Sequence, residues 1–542
     1  MDESIDDWQV PDSGEESTAS TDDTSGPVEP PVELTPVCSR RRGLLLLCCM
    51  IVLADTCLYR STGFSGPAVF LPMAAMILIL GIPQRSFRFV TLILLALLGT
   101  AAIRLAMNGS SGLLVVSCWI LMSLPFCLRG WPPFLLETLV FVAQSIPGGY
   151  NFFRSVNQQV RRSVLTPIDE GRPGRWLGIG LPVATALVFG TIFLMANPQV
   201  LRVVSDFLAD LLLSIQRWLR HFSPTEVLFW GTVAWLTAGV LRPVRSFSSQ
   251  AVQDNFERVP APSSMYEPFQ RTLLTVITLF AGYIVFEFYT LSTNTYEKGF
   301  GFSDYAHEGA MWLTVALALA TLLLSLIFRG STFVDPRVSR LRTLAWIWIS
   351  LNLILAIAVY ARLFIYIDYN GMTRMRTIGL LGVAAVVGGF GVMRYKIRWQ
   401  REFYWLVQRQ LWILGLAVFA YVVSPVDTIC HRYNVARIMA GDPAPSVQLI
   451  VHPVDDEALP TLLPLLDSDQ EEIQRGILAL MLDRLDRLKQ DVESAEWSAW
   501  QYSQEATFDV LTEYFETNDN DHDSGERESA ISDLKEFAMQ WY

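Results

Sequence analysis

Residues 271–330 read RTLLTVITLFAGYIVFEFYTLSTNTYEKGFGFSDYAHEGAMWLTVALALATLLLSLIFRG. Two apolar runs, 272–291 and 310–328, flank a short segment that is rich in Tyr, Phe, Gly and charged residues. A helix needs about 20 apolar residues to cross the hydrocarbon layer of a bilayer, and each run is about that long. The stretch therefore predicts two transmembrane helices joined by a short polar loop.

Similar runs recur through a chain of 542 residues that is 51% hydrophobic and has a mean hydropathy of +0.34. The predicted fold class is therefore all-α, a polytopic transmembrane helix bundle of about 11 spans. The predicted spans are 43–58, 63–82, 89–107, 112–128, 176–196, 226–241, 272–291, 310–328, 344–365, 378–393 and 403–423.

Charge divides the chain into three zones, and these zones orient the bundle. Residues 1–34 carry 11 acidic and no basic side chains, and residues 425–542 carry 25 acidic and 8 basic ones. In the basic middle, Arg and Lys concentrate in every second connection between spans, which is typical of cytoplasmic loops. The pattern predicts a multi-pass protein of the cell (inner) membrane, with a cytoplasmic N-terminus and a C-terminal domain on the outer face.

Two further apolar segments, 134–146 and 200–221, do not fit this topology as spans. The first is short and contains Glu137 and Gln144, and counting it as a span would invert every later loop. We therefore expect a re-entrant or interfacial helix there. The second segment spaces its apolar residues at helical intervals beside a charged face, which predicts an interfacial helix.

The segments outside the predicted bundle differ in composition. Residues 1–39 form an acidic tail that is predicted to be disordered, because it has too little apolar surface to bury. Residues 425–515 contain two amphipathic runs joined by an acidic turn, which predicts a helical, HEAT-like extramembrane domain. Residues 516–542 are predicted to be an acidic, partly mobile tail.

The sequence also argues against several classes of function. Neither acidic segment favours nucleic acid, so the bilayer is the first expected partner. The seven cysteines lack the paired spacing of a zinc site or a disulfide framework. Walker A, dinucleotide-binding, zincin and nucleophile-elbow motifs are absent. We therefore predict no cofactor and no metal, and we assign no catalytic residue.

Five segments, taken in order along the chain, resemble a single protein family. They are LPVATALVFGTIFLMANPQ (181–199), FWGTVAWLTAGVLRP (229–243), YAHEGA (305–310), ARLFIYIDYNGMTRMR (361–376) and VDTICHRYNVARI (426–438). Together they resemble an uncharacterised family of bacterial multi-pass membrane proteins, domain of unknown function 4173, with the related domain of unknown function 4153. The resemblance covers roughly residues 176–500, and it implies the helical membrane architecture without implying an activity or a ligand.

The polar loop between the first two runs contains one group of candidate site residues. Tyr305, His307 and Glu308 stand directly before an apolar run. His307 could titrate near neutral pH or take part in binding an ion. Glu308 also has a structural reading, because a carboxylate at the start of a helix is favoured by the helix dipole.

Ionisable residues inside the apolar runs form the second group, because charge at bilayer depth is costly and turns towards the bundle interior. Glu287 and Arg362 are predicted to pair across two spans, and Asp368 and Arg374 are expected at the same outer surface. The candidate ligand or ion-pair site comprises Glu287, Tyr305, His307, Glu308, Arg362, Asp368 and Arg374.

Three functional hypotheses remain open at this point. The first is a non-enzymatic protein that senses or scaffolds in the cell envelope, with an envelope protein bound by the C-terminal domain. The alternative is a transporter or permease with a polar site at the outer ends of the helices. A third is a membrane-embedded transferase that acts on lipid or glycan and uses His307 or Glu308, so enzymatic activity stays open although the first reading is favoured.

Overall fold

A computed structural model describes residues 40–82, 88–164, 183–186, 205–214, 223–241, 265–293, 315–316, 319–328, 332, 335–517 and 524–541. Every regular element among these residues is a helix, which confirms the predicted all-α class.

Several predicted segments lie wholly or partly outside the described residues. The tail 1–39 and the loop 294–308 lie outside them entirely. The predicted segments 176–196, 200–221 and 310–328 are described only in part, and the described parts are helical.

The membrane part of the chain contains ten helices with complete bounds in the described ranges. They are α1 (Arg40–Ala54), α2 (Ser65–Gly81), α3 (Phe89–Met107), α4 (Ser111–Leu128), α5 (Leu135–Val164), α6 (Pro224–Leu241), α7 (Tyr266–Thr293), α8 (Val338–Asn370), α9 (Arg374–Trp399) and α10 (Phe403–Val423). A π-helical turn, Asp55–Tyr59, extends α1.

Seven helices of the described part are long and apolar enough to cross a membrane. The helix α2 is equally apolar but has only 17 residues. These helices are compatible with a membrane-embedded protein, and the count of about 11 spans stays a prediction. The seven are Arg42–Tyr59, Phe89–Met107, Ser111–Leu128, Tyr266–Tyr289, Val338–Asn370, Arg374–Trp399 and Phe403–Val423.

The helices α1 to α6 form the first half of the bundle. Consecutive helices from α1 to α4 pack as antiparallel hairpins around a core that includes Leu71, Leu98 and Leu121. The helix α5 packs along α6, where a Cβ atom on Gly239 would overlap the carbonyl oxygen of Ser145. A glycine is therefore needed at this crossing, as is common where transmembrane helices approach closely.

The structure extends α5 well beyond the short segment 134–146 expected from the sequence. The helix continues to Val164 with Pro147 inside it. Its extension has a surface to pack on, because Phe153 stacks on Trp235 of α6 with ring centroids 5.8 Å apart. The Trp235 indole also donates a hydrogen bond to the carbonyl of Ile146 at 2.8 Å. A re-entrant or interfacial placement of 134–146 stays a prediction.

The second half consists of α7, α8, α9 and the helical residues 319–327. Their core includes Trp348 and Phe390, both essentially inaccessible to solvent. Lys396, near the end of α9, is also fully buried, and its Nζ donates to the carbonyl of Ser325 at 3.2 Å. This hydrogen bond links α9 to the helical residues 319–327, at a carbonyl near the end of that helix.

The helix α10 connects the two halves. Leu406, near its start, is buried in the core of the second half, whereas Phe419, near its end, is buried in the core of the first. Within the described part of the bundle, α10 is the helix that contributes buried residues to both cores.

The helices after α10 have a hydrophobic core of their own, and we call them the C-terminal helices. Pro460 and Pro464 lie in a 3₁₀ segment where the sequence predicted the first arm of a HEAT-like pair, because proline removes backbone donors from an α-helix. Leu534 is buried against Gly476, so a packed helix lies within residues 516–542, and the partial mobility expected of that tail stays a prediction. The elements are α11 (Val426–Met439), α12 (Ser446–Val451), the 3₁₀ helix Asp456–Asp467, α13 (Glu471–Ser494), α14 (Tyr502–Thr517) and α15 (Ser524–Met539).

The C-terminal helices pack against one end of the bundle. Three connections at that end, 61–64, 108–110 and 371–373, hydrogen-bond to them. The opposite end carries Arg88 and Arg129, whose guanidinium groups donate to carbonyls at the ends of α4 and α6. The contacting connections are those that the sequence predicts on the outer side, and which end faces the cytoplasm stays a prediction.

Candidate functional site

The seven candidate residues fall into three places. Tyr305, His307 and Glu308 lie outside the described residues, so the roles expected of them stay predictions. Glu287 and Arg362 meet inside the second half of the bundle. Asp368 and Arg374 lie at the α8–α9 connection, where the C-terminal helices dock.

Glu287 and Arg362 form an ion pair between α7 and α8. Arg362 Nη2 lies 2.6 Å from Glu287 Oε1, and the Tyr283 hydroxyl donates to Glu287 Oε2 at 3.0 Å. Glu287 is only 1% exposed, so both oxygens of a deeply buried carboxylate have partners. Removing either charge would leave the other uncompensated in a region of low dielectric constant, which is strongly destabilising.

Arg374 belongs to a different cluster. It begins α9 and forms a bidentate ion pair with Asp427 at the start of α11. Its Nη2 also donates to Asp455 Oδ1 at 2.8 Å. Arg362 lies about 12 Å before the end of α8, at 1.5 Å per residue, so the buried pair and this cluster are separate sites.

Asp368 is exposed and acts through its backbone. Its carbonyl accepts a hydrogen bond from Arg437 Nη2 at 2.6 Å, while Arg437 Nη1 donates to the carbonyl of Ile367 at 2.8 Å. Asp442 pairs with the same guanidinium. Arg437 of α11 therefore caps the C-terminal end of α8, where carbonyls lack helical partners and a cation is favoured.

The α8–α9 connection is built around a glycine and a clamping asparagine. Gly371 has a φ of +96°, a backbone conformation that residues with a Cβ rarely adopt. Asn434 of α11 accepts from Met372 N at 2.6 Å and donates to Met372 O at 2.9 Å. A Cβ on Gly371 would lie 2.5 Å from Asn434 Oδ1. The segments 361–376 and 426–438, singled out by sequence resemblance, therefore interlock here.

Arg376 of α9 also holds the α8–α9 connection in place. Arg376 is buried, donates to Gly371 O and Asn370 Oδ1, and places its guanidinium carbon 3.8 Å from the Tyr366 ring centroid. The Thr373 hydroxyl caps α9 by accepting from Arg376 N at 3.3 Å. The turn is thus held from both sides, by α9 and by α11.

The carboxyl groups around Arg374 differ in their acidity. Burial raises the pKa of Asp455 to about 6, with a further contribution from neighbouring Asp427. Burial would also raise the pKa of Asp427, but hydrogen bonds from Arg374 outweigh it and the pKa is lowered. Burial lowers the pKa of His431, which lies on the same helix. Arg374 therefore holds Asp427 ionised while Asp455 titrates near neutral pH.

A second contact joins α3 to the 3₁₀ helix. Arg104, near the end of α3, forms a bidentate ion pair with Glu457 at 2.5 Å for each bond, and Asn108 Nδ2 donates to Glu457 at 3.0 Å. Burial would raise the pKa of Glu457, but the bonds from Arg104 and Asn108 lower it overall. Gln501 adds a bond to the carbonyl of Leu105 at 3.2 Å.

A third contact involves the connection before α2. Ser65 N donates to the carbonyl of Ser498 at 3.1 Å, and Thr62 N donates to the Ser498 hydroxyl at 3.2 Å. A Cβ on Gly63 would lie 2.6 Å from the Cα of Ala499. Close backbone approach and three separate connections make the docking extensive.

Sequence reasoning did not identify Asp427, Asp455 and Glu457 as functional partners. The run 455–457 reads as a solvated helix start, and the 3₁₀ helix does begin there. Two of its carboxylates nevertheless pair with arginines of the bundle. The sequence feature that could have pointed to an acidic partner was Arg104, because an arginine within an apolar run needs a partner or a route to the interface.

The described residues offer no cluster of three or more His, Cys, Asp or Glu side chains that could hold a metal ion. They do contain two apolar cavities that flank α10. One of about 480 Å³ lies between α9 and α10 and has Gln410 and Tyr421 among its lining residues. The other, of about 340 Å³, lies between α10 and the pair α3 and α4. Both sizes fall in the range of small-molecule pockets, but few polar groups are available to orient a ligand.

Comparison with known proteins gave one match. A family model described as Domain of unknown function (DUF4153) matches residues 90–465. Searches of curated proteins and of solved structures each gave no match. The matched family is the second of the two that the sequence resembled, and domain of unknown function 4173 is not shown. The match includes α3 and α4, which the resemblance did not cover, as well as both interlocking segments.

Proposed function

Because the chain belongs to the family of the domain of unknown function DUF4153, which brings no activity with it, we propose a function from the geometry. The protein is a non-enzymatic scaffold of the bacterial cell envelope. Its C-terminal helices form an extramembrane platform that is held on the outer end of the bundle and presented to an envelope protein.

The docking of the C-terminal helices supports this proposal. Three places at one end of the bundle contact them: Arg104 of α3 pairs with Glu457, Arg374 of α9 pairs with Asp427, and the connection before α2 hydrogen-bonds to Ser498. A domain tethered only by a linker would need none of these contacts. Holding the C-terminal helices in one orientation suits a scaffold, because a preorganised surface binds a partner at lower entropic cost.

Photo-cross-linking in intact cells tests the scaffold. A benzophenone amino acid replaces Arg475 of α13 or Asp509 of α14, both exposed, and the full-length protein is purified after irradiation. We expect the same envelope protein to be captured from both positions and to be lost when Arg104→Glu weakens docking. Arg398, exposed at the other end of α9, is the matched control. Absence of any captured protein at both positions would remove the main support for the scaffold.

The orientation is a separate part of the proposal and has its own test. Every second connection is rich in Arg and Lys, which supports a cytoplasmic N-terminus and an inner-membrane location. Alkaline phosphatase, which is active only outside the cytoplasm, is fused after Trp541 or after Gln400. We expect activity from the first fusion only, and the reverse result would overturn the orientation.

A transporter is the second candidate, and the Glu287–Arg362 pair favours it. Paired charges buried among spans are a common feature of ion and proton pathways. In reconstituted vesicles, Glu287→Gln is then expected to abolish proton-coupled solute uptake. Because it also leaves Arg362 unpaired and destabilises the protein, uptake is compared per amount of monodisperse, reconstituted protein. Uptake that is absent from the wild type for every solute class tried would leave the scaffold as the better account.

A further inference from the structure

Three large aromatic side chains lie exposed in the connection from α13 to α14 and at the first residue of α14. We call Trp497, Trp500 and Tyr502 the aromatic edge. Their exposed fractions are 58%, 40% and 53%, although each has a large apolar surface that folding usually buries. Trp500 and Tyr502 also contact each other edge to face, with ring centroids 6.5 Å apart. Trp500 and Tyr502 therefore form one surface, and Trp497 lies three residues before Trp500 in the chain.

Hydrogen bonds tie this segment to the start of α2 and the end of α3. Ser498 O accepts from Ser65 N, the first residue of α2, at 3.1 Å. Gln501 Nε2 donates to the carbonyl of Leu105, two residues before the end of α3, at 3.2 Å. The Gln501 side chain also accepts from Gly109 N at 2.5 Å. The aromatic edge is thus tied to the point where two apolar helices end.

The end of an apolar helix marks the depth at which hydrocarbon gives way to lipid headgroups. Tryptophan and tyrosine are enriched at that depth, because their rings are apolar and their N–H and O–H groups can still hydrogen-bond. The Trp500 indole shows both properties, since it donates to Glu505 at 2.6 Å while much of its ring is exposed.

Electrostatics alone would not bring the C-terminal helices to a membrane surface. Residues 425–542 carry 25 acidic and 8 basic side chains, so an anionic bilayer repels them. A neutral aromatic contact offsets that repulsion without needing basic residues. This combination of charge and position favours lipid over an acidic or basic protein surface as the occupant of the aromatic edge.

We propose that the aromatic edge inserts into the headgroup region of the bilayer beside α2 and α3, and that phospholipid is its binding partner. The C-terminal helices are then held at one end of the bundle by protein contacts on one side and by lipid on the other. This inference concerns lipid contact and does not depend on the scaffold having a partner.

Photo-cross-linking in nanodiscs tests the proposal on the full-length protein. A benzophenone amino acid replaces Trp497 or Tyr502, one position at a time, in discs of phosphatidylethanolamine and phosphatidylglycerol. Ile103, 65% exposed on the apolar surface of α3, is the positive control. Glu472 lies near the start of α13, about 33 Å along that helix from Ser494, and is the negative control. The readout is the intact mass of the irradiated protein.

We expect positions 497 and 502 to gain the mass of one phospholipid, as position 103 does, and position 472 to gain none. Two positions are used so that a local disturbance at one of them does not decide the result. Adducts at 103 but at neither 497 nor 502 would overturn the proposal. Equal adducts at 472 would overturn it too, because contact would then not be specific to the aromatic edge. Cross-links from 497 and 502 to a protein in native membranes, with no lipid adduct in discs, would assign the surface to a protein partner instead.

Discussion

Gly371 is the residue on which the α8–α9 connection most depends. Its φ of +96° with ψ of −174° lies in a region that is essentially restricted to glycine, which makes alanine unfavourable by about 1–3 kcal/mol, and a Cβ would also press on Asn434 Oδ1 at 2.5 Å. We expect Gly371→Ala to lower the apparent Tm in detergent and to expose α11 to hydrogen exchange.

Gly441 is the matched control for this substitution. It has a φ of +95°, but a Cβ there would meet open space. Gly441→Ala therefore carries a positive-φ penalty of its own without the contact with Asn434. If the two substitutions destabilise the protein equally, the Asn434 clamp contributes nothing and the proposed interlock is wrong.

Asp455 makes the docking sensitive to pH. Its pKa is raised from 3.8 to about 6, so its stabilising contribution is greatest at low pH and is lost as the pH rises through 6. The pKa values of Asp427 and Glu457 are lowered, so these two carboxylates stabilise the docking while they are ionised. Their stabilising contribution is lost only when the pH falls far enough to protonate them. His431 of α11, whose pKa is lowered by burial, opposes this effect, because its stabilising contribution is lost as the pH falls below 6.5. Relative to a variant in which residue 455 cannot ionise, we expect hydrogen exchange in α11 of the wild type to slow between pH 7.5 and 5, after correction for the intrinsic exchange rate.

Asp455→Asn separates this effect from general acid behaviour. The amide cannot ionise, so the variant should lack the slowing that Asp455 gives the wild type between pH 7.5 and 5, and the pH dependence left in this range should have the opposite sign, from His431. The Asp455 side chain is 51% exposed, so solvent screening keeps the change small. A variant that retains the wild-type pH dependence would show that another group titrates.

Residues differed in how far the sequence could predict them. The pairing of Glu287 with Arg362 was predictable, because each is a single charge in an apolar run and opposite charges there seek each other. Arg104 was harder to interpret, since snorkelling from a helix end explains it without a partner. Its partner Glu457 lies 353 positions away in an acidic stretch, and no local pattern distinguishes it from its neighbours.

At the scale of elements, the crossing of α5 and α6 gives a direct prediction. Gly239→Ala places a Cβ against the Ser145 carbonyl, a backbone atom that cannot turn aside. Such overpacking typically costs about 1–3 kcal/mol, and a backbone clash should reach the upper part of that range. We expect a lower apparent Tm and a faster proteolytic cut within α5.

Gly231 lies on the same helix and serves as the control. A Cβ there would meet nothing within 4 Å, so Gly231→Ala should be neutral or slightly stabilising, because alanine favours the helix. A Gly239→Ala protein as stable as Gly231→Ala would mean that α5 does not pack on α6 in this way.

Apolar runs predict the membrane helices well, because length and hydropathy are local properties of the sequence. The extension of α5 to Val164 is not local, since its packing surface is provided by Trp235 on α6. The same is true of α15, an acidic segment whose buried Leu534 becomes apparent only when α13 supplies Gly476. The sequence therefore predicted α5 as too short a helix and did not predict α15, because both depend on residues far away in the chain.

At the scale of the whole molecule, the two halves of the bundle are joined in two ways within the described residues. One is α10, which places Leu406 and Phe419 in different cores and has an apolar cavity on each side. The other is the set of C-terminal helices, which bind α3 of the first half and the α8–α9 connection of the second. Docking should therefore stabilise the arrangement of the halves as well as the C-terminal helices themselves.

The Arg104–Glu457 pair allows this docking to be tested by exchanging charges. Its two side chains are mostly buried, at 12% and 19% exposure, and breaking a buried pair costs about 3–5 kcal/mol. Arg104→Glu and Glu457→Arg each place like charges together, whereas the double variant restores an ion pair in reverse. Asn108, which donates to Glu457, can turn its amide to accept from an arginine, so rescue should be substantial but incomplete.

The most direct test of the account is deuterium uptake in α11 and the 3₁₀ helix for the wild type, both single variants and the double variant, all in nanodiscs. We predict that each single charge reversal increases uptake in both elements and that the double reversal returns it most of the way to the wild-type level. Single variants with unchanged uptake, or a double variant whose uptake is the sum of the two single effects, would contradict the docking of the C-terminal helices on the bundle.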